Sequence, residues 1–393
     1  MKIKNFFFEN QYWLLPILFL IVAVYATLRN YFLPVSIMDG VDCGVTQYNN
    51  YIIFKNSSFH LLGQVNLYAS YPSEQYDLFK YTPSFALFFG LFAALPNVLG
   101  LFIWNLLNVG LPILGFSQLL GLNKKIKPIL LLLLIPEMLT SVLNSQSNGL
   151  ILGLMFFALA SIQRGNTLRA VVFICITGFI KLFGIALFAV FLLYPNQIKK
   201  AVIYAFVIAL VLFGIPLIVT PLDTLIQQYI WYFELLKNDG NTFVKFSIMA
   251  WINTWFHLDL NKNIVLLFGL IVQIIPLFFP SDFLRKNSIV YGFSWMIWVV
   301  IFNHMAESAT FIIAVGAIMA FLSMRDKISI YHLLAFLLLF FLTELGPSDI
   351  YPRYMRIWIV EKAQLKVFPC VVFWIFTLLE MINVDFLNFK RLN

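Results

Sequence analysis

The sequence predicts an all-α integral membrane protein, a single polytopic helical domain over residues 1–393. Three observations carry this. Hydrophobic residues make up 61% of the chain and charged residues only 11%, where a soluble domain carries about 25% charge. Mean hydropathy is +0.88. The apolar residues fall in runs of about 20, the length that crosses a bilayer, and short basic clusters separate them. The 43 Phe suit lipid-facing helices, with Trp and Tyr at the interfaces. The net charge of +8 does not indicate a nucleic-acid partner, because the basic residues stand between apolar runs as topology determinants do. Cys43, Cys175 and Cys370 are scattered, without metal spacing, and no structural disulfide is expected.

The first run, "MKIKNFFFENQYWLLPILFLIVAVYATL", starts with Lys2 and Lys4. It is long enough to span and no small-residue cleavage site follows, so it reads as a first span and not a cleaved signal. Further basic clusters are Lys124/Lys125/Lys127, Arg164/Arg169, Lys199/Lys200, Arg285/Lys286, Arg325/Lys327 and Lys390/Arg391. Placing them all on the cytoplasmic side puts the segment after the first span outside. An odd number of crossings must then separate that outer segment from Lys124. "TPSFALFFGLFAALP", bracketed by Pro83 and Pro96, therefore reads as an interfacial helix, and 98–121 as the crossing. Spans over 127–142 and 147–163 follow.

"LRAVVFICITGFIKLFGIALFAVFLLY" poses the opposite problem. As one span it would hold Lys181 near the bilayer centre, at roughly 3 kcal/mol. Two short helices meeting between Gly178 and Gly184 place Lys181 at the outer surface and keep Arg164/Arg169 and Lys199/Lys200 on one side. The remaining spans are 200–220, 263–280, 288–303, 306–323, 330–345 and 366–383. The total is about 12 spans, counting the two short helices that meet at Lys181, with both termini cytoplasmic in a multi-pass cell-membrane protein. The outer loops are 36–97, with its interfacial helices and two acids, 221–262, with an interfacial helix in "LDTLIQQYIWYFELLK", and 346–365.

The outer face collects the unusual polar groups. Asp39 and Asp42 follow the first span. They are either solvated loop carboxylates or a general base toward a hydroxyl. "NSQSN" at 144–148 is either a polar turn or, through Gln146 and Asn148, a set of amides that orient sugar hydroxyls. Lys181 is either a lysine that snorkels from a helix end or the cation for a lipid-linked phosphate. In "NHMAESATF", His304 and Glu307 stand three apart and are expected on one helix face, as a local pair or as substrate contacts. In "SDIYPRYMRIW", Arg353 and Arg356 either sit in an interfacial belt or grip a phosphate. Two ligands do not make a metal site, and none is expected. The chain has no P-loop, GxSxG or HExxH, and no Asp-x-Asp stands in an outer loop. Short cytoplasmic loops leave no place for a nucleotide sugar, so an enzyme of the outer face needs a lipid-linked donor.

"VDCGVTQYNNYIIF", then "GQVNLY", then "KYTPSFALFFGLFAALP", resembles the opening of glycosyltransferase family 87. The matching residues are Asp42, Tyr48, Gly63, Leu67, Tyr68, Tyr81, Pro83, Phe85 to Leu87, Leu95 and Pro96. "NSQSNGLILGL" resembles the family's G-Q-x-N element at Gln146 and Asn148, with Ser145 in place of Gly. "GFIKLFGIALF" resembles its I-K-P element at Lys181, with Leu182 in place of Pro. The order holds from about 36 to 200, and "NHMAESATFIIA" matches loosely beyond.

The resemblance implies a GT-C-type bundle and a membrane glycosyltransferase of the cell envelope. It implies a polyprenyl-phosphate sugar donor, classically mannose, and a hydroxyl of a glycolipid or glycan as acceptor. Transfer would be inverting, without nucleotide or other cofactor. Carried over, Asp42 is the general base and Asp39 an assisting carboxylate. Lys181, His304, Arg353 and Arg356 would neutralise the departing phosphate, while Tyr48, Gln146, Asn148 and Glu307 would line the sugar and acceptor site. Two other classes stay open: a polymerase or ligase of lipid-linked polysaccharide, and a transporter or flippase of a lipid-linked sugar, which would show polar groups along a path through the membrane and often inverted repeats.

Overall fold

The computed structural model describes residues 2–239, 246–279, 284 and 288–382, the side chains of 2–12 and 239 excepted. Arg285/Lys286, Lys390/Arg391 and the side chains of Lys2 and Lys4 lie outside that description. The regular secondary structure of the described residues is helical, with isolated bridge positions such as Ser36–Val45.

Helix α1 spans Lys2–Phe32. The loop after it carries two short helices, α2 at Asn49–Leu62 and α3 at Pro83–Ala93. Helix α3 starts where the sequence places it. Pro83 sits in its first turn, and the Thr82 side chain accepts from the Phe85 amide, covering a donor the first turn leaves open. Next come α4 (Asn97–Gln118), α5 (Lys127–Leu133) and α6 (Ile135–Leu143). The expected span over 127–142 is thus broken at Leu134, just before Pro136, whose ring lacks the donor that would continue the ladder. Helix α7 covers Asn148–Gln163 and α8 Thr167–Ile180. Lys181 is extended, with φ −141° and ψ 141°, and a 3-10 segment, Leu182–Leu193, runs back. The charged residue does split this apolar stretch into two short helices. A Cβ on Gly184 would overlap the Thr177 side chain, so glycine lets the two arms close.

Helix α9 is Pro195–Gly214. Val202, Ile203, Phe206, Val207, Leu210 and Val211 on it are all exposed, the surface of a helix solvated by lipid. Two helices occupy the region read as an outer loop, α10 (Leu222–Asp239) and α11 (Ile248–Phe256). The second half continues with α12 (Lys262–Ile274), α13 (Ser288–Ile301), α14 (Phe311–Ser323), α15 (Ile330–Leu338), α16 (Arg353–Ile357) and α17 (Phe368–Met381). By length and composition Trp13–Phe32, Asn97–Gln118 and Pro195–Ile218 can each cross a membrane alone. The other apolar helices are shorter.

Hydrogen bonds between loops define the two ends of the bundle. At one end the Asn123 amide nitrogen donates to the Ser323 carbonyl at 2.6 Å. Leu120 N donates to Gln163 Oε1 at 2.8 Å and Thr167 Oγ1 to Gln197 Oε1 at 2.9 Å, while Tyr194 bonds Ser288. The basic clusters at 124–127, 164–169, 199–200 and 325–327 border these contacts, so they share one end. The loop 33–82, the 144–148 turn, Lys181 and residues 303–307 gather at the other.

The tightest packing lies between α4 and α7. Cβ atoms added at Gly149 and Gly153 would run into the backbone at Asn108 and Leu111. Asn108 Oδ1 also accepts from Leu150 N at 2.9 Å. Small residues permit this approach in an apolar bundle, where close packing and internal hydrogen bonds hold helices together. Gly153→Ala, whose Cβ would lie 2.5 Å from the Leu111 carbonyl carbon, is expected to destabilise by about 1–3 kcal/mol. Gly110→Ala on α4, with no atom within 4 Å of its new Cβ, is expected to be neutral or stabilising. Thermal unfolding of the two variants in detergent measures the difference.

Candidate active site

The site grows from the turn between α6 and α7. Ser145 there has φ +52°, a left-handed conformation that glycine adopts without steric cost. It occupies the position where the family element resembled by this stretch carries Gly. Its carbonyl accepts from Trp104 Nε1 at 2.9 Å. Neighbouring carbonyls are also held, Leu143 by Asn30 Nδ2 at 2.7 Å and Asn144 by Asn50 Nδ2 at 2.8 Å. The turn is therefore tied to α1, α2 and α4, which fixes Gln146 and Asn148, both buried.

From this turn a chain of hydrogen bonds runs through three connections of the fold. Lys181 Nζ donates to Asn148 Oδ1 at 3.1 Å. Asn148 Nδ2 donates to Gln146 Oε1 at 2.7 Å, and Gln146 Nε2 donates to Glu307 Oε2. A cation stands at one end, a carboxylate at the other, and two amides pass the polarity between them. The Lys181 ammonium also lies 5.6 Å and 5.8 Å from the centroids of the Tyr81 and Phe183 rings, within cation–π range.

Two cavities of about 330 Å³ each open on this chain. One is cationic and apolar, with Lys80, Lys181 and His304 set among Phe54, Tyr81, Phe183 and Tyr232. The other has no basic residue among the described residues of its wall. Ser36, Thr46, Gln47, Asn49, Asn50 and Asn144 give it hydroxyls and amides. Asn50, Asp77, Gln146 and Glu307 belong to both walls and form the boundary. Asp77 is exposed there with φ +74°. Its Oδ1 accepts from Leu78 N at 2.7 Å, and its other oxygen takes no hydrogen bond among the described residues. The segment before it is pinned to α2. Tyr76 N donates to Asn49 Oδ1 at 3.2 Å, and Asn56 Nδ2 donates to Gln75 Oε1 at 3.2 Å.

The structure brings Gln146, Asn148, Lys181, His304 and Glu307 to one place. The expected helix face for His304 and Glu307 is not there. Helix α13 ends at Ile301 and the next helical turn starts at Ser308, leaving both residues in a connection. Asn303 is the physical reason, because its Oδ1 accepts from Met305 N at 3.0 Å. Such a local side-chain bond competes with the helix ladder. Asp39 and Asp42 are exposed and line neither cavity. Tyr48 is buried in a ring stack 6.0 Å from Tyr31 and lines neither cavity. Arg353 is exposed and Arg356 is paired with Asp349; neither reaches the cavities.

Asp77 and Lys80 were not among the residues singled out in the sequence. Their signal is "YDLFKYTP", an acid and a base three apart in an aromatic stretch just ahead of a helix cap. Fully buried Glu137, Glu344 and Lys366 were missed as well, although an ionisable residue inside an apolar run is itself a signal. Among the described residues no three His, Cys, Asp or Glu gather as a metal-ligand set.

Residues 79–323, more than half of the chain, match the model of glycosyltransferase family 87. The protein belongs to glycosyltransferase family 87. It is accordingly a multi-pass membrane glycosyltransferase. The family match takes in Lys80, Tyr81, Gln146, Asn148, Lys181, His304 and Glu307 and reaches further along the chain than the sequence motifs did. Asp39, Asp42, Tyr48, Asp77, Arg353 and Arg356 lie outside it. No curated protein matches the chain. Among solved structures, the crystal structure of ArnT from Cupriavidus metallidurans bound to undecaprenyl phosphate matches at 13% identity and a TM-score of 0.40. The match covers 93% of this chain and 77% of that one.

The hydrogen-bonded chain makes its members act as a unit. Gln146→Ala and Asn148→Ala are each expected to destabilise the fold, and the double variant to lose less than their sum. The coupling should be about 1 kcal/mol, read from a double-mutant cycle on thermal unfolding. Strict additivity would show that Gln146 and Asn148 stand independently.

Proposed function

We propose that this family 87 enzyme transfers a hexose, mannose first among the candidates, from a polyprenyl-phosphate sugar to a hydroxyl of a glycolipid or glycan. The reaction takes place on the outer face of the cytoplasmic membrane. The observation that carries this reading is the pair of unlike cavities that meet at two carboxylates. The cavity with Lys80, Lys181, His304 and aromatic walls suits the phosphate, first sugar and first isoprene units of a lipid-linked donor. The amide-lined cavity suits the hydroxyls of an acceptor. A group-transfer enzyme needs two such sites and a base where they touch.

The geometry favours Asp77 over Asp42 for that base, because Asp77 stands at the boundary with one oxygen open. The Asp77 carboxylate takes the acceptor hydroxyl proton as the acceptor oxygen bonds to the anomeric carbon. The bond from that carbon to the phosphate oxygen breaks in the same step, and the polyprenyl phosphate leaves with its electron pair. Lys181, with Lys80 and His304 in the same wall, compensates the charge that develops on the phosphate. One displacement inverts the anomeric centre. Glu307 holds Gln146 and contributes an acceptor at the boundary. A retaining mechanism would ask for carboxylates on opposite faces of the sugar, about 5–5.5 Å apart.

The test gives purified enzyme a radiolabelled polyprenyl-phosphate mannose and glycolipid acceptors. Asp77→Asn is expected to lower kcat by roughly 10²–10⁴-fold, the range for a general base, and to do so far more than Asp42→Asn. A larger loss for Asp42→Asn would return the base to Asp42. Lys181→Met is expected to raise KM for the donor by roughly 10–100-fold, the worth of a hydrogen bond to a charged group. Saturable translocation of the labelled lipid without any transfer would overturn the reading.

A further inference from the structure

Behind the cavity boundary lies a charge cluster that the proposed chemistry leaves unused. Glu137 on α6, Glu344 at the end of the helical run from Ile330, and Lys366 before α17 are each fully buried. Lys366 Nζ donates to both Glu137 oxygens at 3.0 Å and to Ser308 Oγ at 2.9 Å. It stands 5.2 Å from the centroid of the Phe311 ring. The Lys366 carbonyl accepts from Thr343 Oγ1 at 2.8 Å, which fixes the backbone from which the ammonium reaches.

Burying an ion pair costs desolvation that its attraction often fails to repay, so such a pair is weak evidence for stability. The destination of the ammonium's further hydrogen bond is more informative. Ser308 directly follows Glu307. The Glu307 side chain accepts from the Thr310 amide, and Thr310 Oγ1 accepts from Glu307 N, closing a capping box over this single turn. The turn is thus held from below by Lys366 and presents Glu307 above, where Gln146 and the cavity boundary meet it.

We propose that Lys366 is a positioning residue of the active site, acting through Ser308. It fixes the 307–310 turn and so sets the Glu307 carboxylate against Gln146, while Glu137 aims the ammonium. This rests on the reading of the cavity boundary as the place of transfer. Displacing a group at the reacting centre by about 1 Å can cost 10²-fold in rate, so a turn that carries a boundary carboxylate needs a rigid support.

The experiment uses the full-length enzyme, labelled polyprenyl-phosphate mannose and a glycolipid acceptor, with kcat, KM and melting temperature measured on each variant. Ser308→Ala removes the contact and leaves the buried pair in place. It is expected to lower kcat by roughly 10–100-fold with only a modest drop in melting temperature from the lost hydrogen bond, and Ser308→Thr, which restores a hydroxyl, is expected to recover most of the kcat. In a Glu307→Gln background Ser308→Ala should cost nothing further. Lys366→Met is expected to follow Ser308→Ala in kcat; if it does not fold, the Ser308 series decides alone. Wild-type kcat in Ser308→Ala, or a loss that adds in full to that of Glu307→Gln, overturns the proposal. If Asp77→Asn and Lys181→Met are as active as wild type, the active-site reading fails and this proposal falls with it. If those two are impaired and Ser308→Ala is not, only the positioning role is lost.

Discussion

The hydrogen-bonded chain from Lys181 through Asn148 and Gln146 to Glu307 is the constraint on which the site depends. In an apolar bundle a lone ammonium or carboxamide has few partners, and leaving one unpaired costs several kcal/mol. These four side chains answer one another, so the α8 hairpin, the α6–α7 turn and the 303–307 connection must meet at one place. The tight α4–α7 contact supplies the other half of that arrangement. It holds the turn bearing Gln146 and Asn148 against Trp104 and Asn108. Polar satisfaction and close packing therefore select the same geometry.

The layout of charge around this chain separates two tasks. Basic and aromatic groups stand on one side of the boundary, neutral hydrogen-bonding groups on the other. A phosphate and an uncharged polyol would sort themselves between such walls. Asp77 and Glu307 stand on the line between them, where the proposed transfer would move a proton. The buried Lys366–Glu137 pair then stiffens that line from the protein side, away from either substrate.

Much of this was legible in the sequence where one residue conflicted with its surroundings. Lys181 within a run of apolar residues forced a break, and the chain does break there. The polar turn at 144–148 stood out between two apolar helices for the same reason. What escaped depends on contacts between distant residues. Two carboxylates in one loop, Asp42 and Asp77, look alike until Asn49 and Asn56 pin the later segment against α2. Arg356 looked available until Asp349 claimed it. Glu137 and Lys366 are 229 residues apart, and neither string reveals the other. The shared helix face read for His304 and Glu307 yielded to a single Asn side chain, a local competition that spacing alone does not reveal.

The cavity that holds Lys181 has Leu182, Phe183 and Leu236 in its wall, and Leu182 is an exposed apolar side chain. A substrate with a lipid tail would come to such a wall sideways, by diffusion in the plane of the bilayer. Its encounter with the enzyme is then a two-dimensional collision, governed by donor molecules per unit of membrane area and not per unit of solvent volume. Diluting the donor with inert lipid at constant bulk concentration would slow the enzyme, and diluting the whole suspension with buffer would not.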